Sequence, residues 1–305
     1  MEPTAKIPTT DILTLISIWI LHTSVIDGGI ISGAVTPVMM DNFRTFVQYT
    51  AGASCNSDPL LQTSTKISCG NNACPVIETH DTHIVTTLET PGRETGGYIA
   101  LDNTARLIVV AFHGSSGIND WISNLKAGLV NSDLCSGCKV HDGFQETYAD
   151  IEQTIRMVVP GLRMNHPDYN VAITGHSLGA ALATLSTAHL RQIMGIPIDT
   201  YLYGAPRVGN EEFVKFYNGQ PGQTFRVTHW DDPVPRLPGH GLGYYHVDTE
   251  YWLSVGDAQK VDYTPEEVKV CKGTYNTDCN SGTQFTNFDV EAHKWYFQKV
   301  AACKA

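Results

Sequence analysis

Ser177 lies in a sequence pattern that is typical of an activated nucleophile. Residues 175–179 read Gly-His-Ser-Leu-Gly, between a strand-like run at residues 171–174 and a helix-like run at residues 180–194. A sharp strand-to-helix turn exposes the serine oxygen, and the flanking glycines remove Cβ atoms that would clash there. The start of the helix directs backbone N–H groups toward a developing oxyanion. The pattern therefore predicts a serine nucleophile that attacks a carbonyl group, not a chance serine in a turn.

A serine nucleophile needs a base and an acid that orients the base, and in this arrangement the order is serine, acid, histidine. A strand-like run leads into a proline-stiffened loop that contains Asp231 and Asp232. His293 follows near the C-terminus, at the start of an aromatic, helix-like segment. His229 and His246 are rival bases, but each lies within or beside a strand pattern, which favours a packed, hydrogen-bonded role.

Three motifs occur in that order along the chain. They are Gly-His-Ser-Leu-Gly-Ala from residue 175, Phe-Arg-Val-Thr-His before Asp-Asp-Pro-Val-Pro-Arg-Leu-Pro, and Ala-His-Lys-Trp-Tyr-Phe around His293. Together they resemble the secreted fungal class 3 lipases, the filamentous-fungal triacylglycerol lipases, over about residues 43–303. The resemblance implies an α/β-hydrolase fold with Ser177 as nucleophile and His293 as general base and then acid. It implies Asp232 as the orienting acid, with Asp231 as the alternative.

The same resemblance implies an oxyanion hole. Residues 111–115 read Ala-Phe-His-Gly-Ser, end an apolar strand-like run, and are similar to the family's Phe-Arg-Gly-Ser. Ser115 would then donate through its N–H and hydroxyl, and Leu178 through its backbone N–H. His113 stands where many members have arginine, so the hydrogen bonds that support this loop stay open. A catalytic role for His113 is disfavoured because it precedes the serine.

The segment after this loop is amphipathic. Ile118, Trp121, Ile122 and Leu125 recur at helical spacing, and polar residues occupy the other face. In position the segment resembles the family's lid, a short helix over a hydrophobic acyl groove, for which Gly117 would be the hinge. The alternative is an ordinary surface helix packed on the core. Trp121 favours lipid, because related feruloyl esterases tend to have a more polar segment here.

Strand-like and helix-like runs alternate along the chain, which predicts a mostly parallel central sheet flanked by helices. The strand-like runs are residues 98–101, 107–112, 171–174, 200–203 and 224–228, and the helix-like runs are residues 144–158, 178–194 and 211–217. No repeat or long linker interrupts them, and a chain of this length can bury a large core. We therefore expect residues 35–305 to form a single domain.

Eight cysteines, an even number, suggest a disulfide framework in an exported protein. The resemblance to class 3 lipases and feruloyl esterases implies the pairs Cys55–Cys303, Cys69–Cys74, Cys135–Cys138 and Cys271–Cys279. Cys135 and Cys138 could instead form a redox or zinc half-site, but no second ligand pair or thioredoxin-like helix start is evident. His80 and His83 lack a His-Glu-x-x-His helix, so no metal site is predicted.

Residues 1–34 have the features of a secretory signal peptide. Residues 12–21 are apolar, and Ser-Gly-Ala at residues 32–34 is a small-residue cleavage site. A membrane anchor is the rival interpretation, but it needs about 20 apolar residues, and His22 and Asp27 interrupt the run. Export with cleavage is favoured because disulfide bonds require an oxidising compartment.

The net charge of −11 disfavours a nucleic acid or an anionic membrane as partner, because no basic run offsets it. A neutral lipid–water interface fits better, and the resemblance to class 3 lipases implies an acylglycerol substrate. We therefore expect a secreted serine lipase that hydrolyses acylglycerol esters through an acyl-enzyme, with interfacial activation and without a cofactor. The alternatives are a feruloyl or other cell-wall carboxylesterase and, less favoured because no motif residue is missing, a non-catalytic binding protein on the same fold.

Overall fold

Ten strands occur in the described part of the chain, and eight of them form one sheet. The computed structural model describes residues 34–301 and 303, apart from residues 94, 116 and 284–289. The strands are β1 Thr82–Glu89, β2 Gly96–Asp102, β3 Leu107–His113, β4 Leu129–Asn131, β5 Lys139–His141, β6 Asn170–His176, β7 Asp199–Tyr203, β8 Thr224–His229, β9 Glu250–Leu253 and β10 Val268–Cys271.

The centre of the large sheet is parallel. Its strand order is β1-β2-β3-β6-β7-β8-β9-β10, and β4 and β5 form a separate two-stranded sheet. In this sheet β3, β6, β7, β8 and β9 pair in parallel, whereas β1, β2 and β10 pair antiparallel at the two edges. All five predicted strands are present, as β2, β3, β6, β7 and β8. The mostly parallel sheet expected from the sequence is confirmed.

Seven α-helices accompany these strands among the described residues. They are α1 Pro37–Ala53, α2 Pro75–Thr79, α3 Ile118–Asn124, α4 Asp142–Asn165, α5 Leu178–Met194, α6 Glu211–Asn218 and α7 Val290–His293. The three predicted helices correspond to α4, α5 and α6. Short 3-10 turns at residues 70–72, 234–236, 240–242, 265–267 and 280–282 shape the loops between them.

Hydrophobic cores lie on both faces of the sheet, as β3 illustrates. Successive side chains of a strand point to opposite faces. Ile108, Val110 and Phe112 pack into the core that contains α4 and α5. Val109 and Ala111 pack into the core that contains α1. This strand is therefore apolar from Leu107 to Phe112, and its carboxyl end, beside that of β6, is packed on both faces.

One compact unit runs from Gly33 to Ala305. The expected signal peptide at residues 1–34 lies outside the described residues except for its last position. No helix in the described ranges is long and apolar enough to span a membrane.

The eight cysteines are bonded in four pairs. The long bridge joins the segment after α1 to the C-terminal tail, with a sequence separation of 248. A group of three possible metal ligands among the described residues consists of cysteine sulfurs that are already in disulfide bonds. The four pairs are Cys55–Cys303, Cys69–Cys74, Cys135–Cys138 and Cys271–Cys279.

Candidate active site

Ser177 lies at a sharp turn between β6 and α5. Its backbone has a positive φ of 57° with a ψ of −127°, a combination that a non-glycine residue rarely adopts. A Cβ on Gly175 would lie 2.3 Å from the carbonyl oxygen of Gly179, and a Cβ on Gly179 would lie 2.6 Å from that of His113. Side chains at either glycine would therefore collide with backbone. The turn has the geometry that the Gly-x-Ser-x-Gly pattern predicts.

His293 and Asp232 form a buried pair near this turn. His293 Nδ1 lies 2.8 Å from Asp232 Oδ2, and because a carboxylate only accepts, Nδ1 is the donor. Asp232 also accepts from the backbone N–H of Val234 and from the hydroxyl of Tyr296. Burial alone would raise the pKa of Asp232, but His293 and these hydrogen bonds hold it below its usual value. The carboxylate on His293 thus belongs to Asp232 and not to Asp231.

Ser177 Oγ and His293 Nε2 are among the buried polar atoms that have no hydrogen-bond partner within the described ranges. Buried polar atoms are normally paired, so such exceptions need an explanation. These two are the hydroxyl that would attack and the nitrogen that would accept its proton. The structure brings both residues into one neighbourhood, because the ring of His176, next to Ser177, lies 4.4 Å from that of His293.

The rival bases have other partners. His229 Nδ1 lies 2.8 Å from the carbonyl oxygen of Ala292, and its Nε2 lies 3.0 Å from the hydroxyl of Tyr263. His246 Nε2 lies 2.6 Å from the carbonyl oxygen of Pro235. Burial lowers the pKa of both histidines, so both rings are neutral at pH 7. They are packed, hydrogen-bonded residues.

The expectation that His293 begins a helix is wrong, because α7 ends at this residue. Beyond it the chain turns, and Trp295 forms a bridge with Lys299. Tyr296 is fully buried and directs its hydroxyl to Asp232, while Phe297 packs near Phe43 of α1. The chain packs these aromatic rings against the core instead of continuing the helix.

The predicted oxyanion donors line one cavity. Ser115 follows β3, and Leu178 is the first residue of α5, where backbone N–H groups have no intrahelical acceptor. The ring of His113 supports this loop: its Nδ1 lies 2.8 Å from the carbonyl oxygen of Gly114, and its Nε2 lies 3.3 Å from the hydroxyl of Ser57. These two contacts support the loop, and they could not be predicted from the sequence.

The cavity has a volume of about 440 Å³, and three residues of α3 are among those that line it. The ring of Trp121 stacks near Phe144 at a centroid distance of 6.3 Å. Ile118 and Ile122 are half-buried but do not line the cavity, and the polar face of α3 is exposed. The lining residues are Arg93, Ser115, Gly117, Asp120, Trp121, Asn124, Leu125, Lys126, His141, Asp142, Gly143, Phe144, Glu146, Thr147 and Leu178.

Two residues that support the His293–Asp232 pair were not identified from the sequence. Gly204 follows β7 with φ 56°, and a Cβ there would lie 2.9 Å from the His293 ring and 3.0 Å from Asp232 Oδ2. Asn280 is fully buried, and its Nδ2 donates to the carbonyl oxygens of Trp230 and Asp232 at 3.1 Å. The sequence contains one local signal for the contact of Gly204, which is a glycine directly after the strand-like run 200–203.

Two family models match parts of this chain. A family model described as Lipase (class 3) matches residues 109–241, and one described as Lipase 3 N-terminal region matches residues 19–85. "Secreted mono- and diacylglycerol lipase 1" of Fusarium solani is 41% identical, over 88% of this chain and 79% of the relative. The chain belongs to the class 3 lipase family.

Two further lipases agree with this assignment. "Secreted mono- and diacylglycerol lipase A" of Penicillium cyclopium is 36% identical, over 91% of this chain and 90% of the relative. The solved structure of a mono- and diacylglycerol lipase from Aspergillus oryzae matches with a TM-score of 0.81 at 34% identity, covering 88% of this chain and 100% of that one. The family and the α/β-hydrolase fold expected from the sequence are thus confirmed.

Proposed function

We propose that the protein is a secreted serine lipase that hydrolyses the carboxylic ester bonds of acylglycerols. The observation that carries the proposal is the buried His293–Asp232 hydrogen bond of 2.8 Å beside a serine in a strained strand-to-helix turn. Membership of the class 3 lipase family supports the reaction, and relatives named as secreted support the location. No cofactor takes part in the proposed reaction.

In the proposed mechanism, Ser177 Oγ attacks the ester carbonyl while His293 Nε2 accepts its proton. Asp232 keeps the Nδ1 proton on His293 and stabilises the imidazolium that forms. The N–H and hydroxyl of Ser115 and the N–H of Leu178 stabilise the oxyanion, for which one donor typically contributes about 100- to 1000-fold in turnover. His293 then protonates the leaving alcohol, and water, activated by the same base, hydrolyses the acyl-enzyme.

We infer further that α3 is a lid and that the enzyme works at a neutral lipid–water interface. Trp121 lines the same cavity as Ser115 and Leu178, so movement of α3 would change access to these proposed oxyanion donors. Burial of an aromatic side chain contributes about 2–3 kcal/mol, which is enough to bias a two-state lid at a lipid surface. Because relatives are named mono- and diacylglycerol lipases, partial acylglycerols are the substrates we propose first.

A substrate panel tests this function. Secreted protein, collected from the medium, is assayed on emulsified monoolein, diolein and triolein, on a phosphatidylcholine and on methyl ferulate. We expect the glycerides to be hydrolysed fastest, with monoolein and diolein ahead of triolein. If methyl ferulate is hydrolysed faster than every glyceride, the cell-wall esterase alternative replaces the proposal. If no ester is hydrolysed by folded protein, the non-catalytic alternative does.

A further inference from the structure

The proposed mechanism gives no role to His176, a buried histidine of the active-site region. His176 is the last residue of β6 and directly precedes Ser177. Its Nε2 lies 2.8 Å from the main-chain carbonyl oxygen of His293, and Tyr296 packs edge-on against its ring at 5.7 Å. The side chain next to the nucleophile therefore contacts the backbone of the general base.

A carbonyl oxygen only accepts hydrogen bonds, so the contact fixes the tautomer of His176 with its proton on Nε2. Burial, and then the proximity of His293, lower the pKa of His176 to about 3. The ring is therefore neutral at pH 7. A neutral ring is required here, because a second cation 4.4 Å from the His293 ring would oppose protonation of His293 during the reaction.

His229 makes the equivalent contact from another strand. It is the last residue of β8, and its Nδ1 lies 2.8 Å from the carbonyl oxygen of Ala292. The hydroxyl of Tyr263 lies 3.0 Å from its Nε2. Since Nδ1 must donate to a carbonyl, Nε2 accepts from the tyrosine. The final residues of two sheet strands thus donate to the successive carbonyls of residues 292 and 293.

The segment that receives these two bonds is a helix of four residues, α7. So short a helix has almost no stability of its own, and its position depends on tertiary contacts. An error of about 1 Å in the position of a catalytic group can lower turnover by about 100-fold. We propose that His176 and His229 are positioning residues that hold the general base in place through its main chain. The proposal rests on the proposed function.

The two contacts use different ring nitrogens, and this allows a crossed test. A glutamine amide nitrogen mimics Nε2, and an asparagine amide nitrogen mimics Nδ1. At residue 176 we expect His176→Gln to retain most of the turnover and His176→Asn to lose it. At residue 229 the order reverses, with His229→Asn active and His229→Gln impaired. His176→Phe and His229→Phe, which lack the donor, should lower kcat by about 10- to 100-fold with little change in KM.

A buried histidine outside the site is the matched control. His189 of α5 contacts the carbonyl oxygen of Leu185 at 3.0 Å and stacks near Tyr148. His189→Phe should lower the melting temperature without lowering kcat per folded molecule. A readout independent of turnover is the downfield proton NMR signal of His293 Nδ1–H. We expect this signal to be lost in both phenylalanine variants and retained in His176→Gln and His229→Asn.

The crossed pattern decides the proposal. If asparagine and glutamine are equivalent at both positions, or if both phenylalanine variants keep wild-type kcat and the NMR signal, the positioning role is wrong. If the wild-type protein hydrolyses no acylglycerol, the proposed function fails, and the NMR comparison still determines whether the two histidines position His293. If a phenylalanine variant does not fold, the asparagine and glutamine pair gives the answer.

Discussion

At the scale of single residues, the structure distinguishes two adjacent carboxylates. Only Asp232 is bonded to His293, and only one carboxylate can fix the histidine tautomer. We expect Asp232→Asn to lower kcat by about 1000- to 10,000-fold, and Asp231→Asn to change it by less than about tenfold. The kcat of both variants is measured on a soluble short-chain ester, with protein whose circular dichroism spectrum matches that of the wild type. Equal losses in the two variants would remove the assignment.

Gly204 provides a second prediction at this scale. A Cβ there would lie within 3.0 Å of both His293 and Asp232, so Gly204→Ala should displace the pair and lower kcat by about 10- to 100-fold. Gly195, at the end of α5, is the matched control, because it also has a positive φ, 62°, but nothing within 4 Å of an added Cβ. Both variants should lose about 1–2 kcal/mol of stability from backbone strain. Equal kcat values in the two would contradict the contact.

The proposed catalytic residues and their neighbours differ in how far the sequence could predict them. Ser177 and its glycines form a local pattern whose sterics involve a few neighbouring residues. The contact between Gly204 and His293 joins positions far apart in the chain, and so does that between Asn280 and Asp232. No periodicity indicates such contacts, because they arise only when the strands assemble. The resemblance supplied Asp232 and His293, and the fold supplied what surrounds them.

At the scale of secondary-structure elements, interfacial activation is predicted from the proposed role of α3 as a lid. The rate on a short-chain triglyceride, measured across its solubility limit, should rise abruptly when emulsion appears. Trp121→Ala should reduce that rise, because it removes the largest apolar side chain of the proposed lid. Met164→Ala, which alters an exposed apolar residue of α4 outside the cavity, should leave the rise unchanged. A smooth saturation curve through the limit for wild-type protein would contradict a lid.

Three strands that the sequence did not predict, β1, β9 and β10, lie at or next to the edges of the large sheet. β1 reads Thr-His-Ile-Val-Thr-Thr-Leu-Glu and only part of it is buried, while β9 and β10 have four residues each. Short or polar edge strands have weak periodicity, since pairing with a neighbour stabilises them more than burial does. The ending of α7 at His293 has a related cause, because aromatic packing, not helix propensity, sets the path that follows.

At the scale of the whole molecule, several buried histidines make stability depend on pH. Burial lowers the pKa of His141, His176, His229 and His246, whereas the unfolded chain has values near 6.5. Below about pH 6.5 the unfolded state therefore binds more protons than the folded state. The free energy of unfolding should fall as pH decreases, by up to about 1.4 kcal/mol per pH unit for each such histidine.

Urea unfolding between about pH 7 and pH 5 measures this dependence. His246→Gln keeps a donor for the carbonyl oxygen of Pro235 but cannot titrate. It should therefore reduce the slope of the free energy of unfolding against pH by up to the contribution of one titrating histidine. His83 is a control of opposite sign, because hydrogen bonds to Ser64 and Asp81 raise its pKa. His83→Gln should not reduce the decrease in the free energy of unfolding between about pH 7 and pH 5. A free energy of unfolding that is constant over this range would contradict the neutral, buried state of these histidines.

The central claim is that Ser177 is the nucleophile of an acylglycerol hydrolase, and one variant tests it most directly. Hydrolysis of emulsified monoolein and of a soluble short-chain ester is measured for wild-type and Ser177→Ala protein of matched melting temperature. Loss of a triad nucleophile typically lowers turnover by about a millionfold, so we expect no activity above background. A folded Ser177→Ala protein that keeps a tenth of wild-type turnover on either ester would contradict the claim.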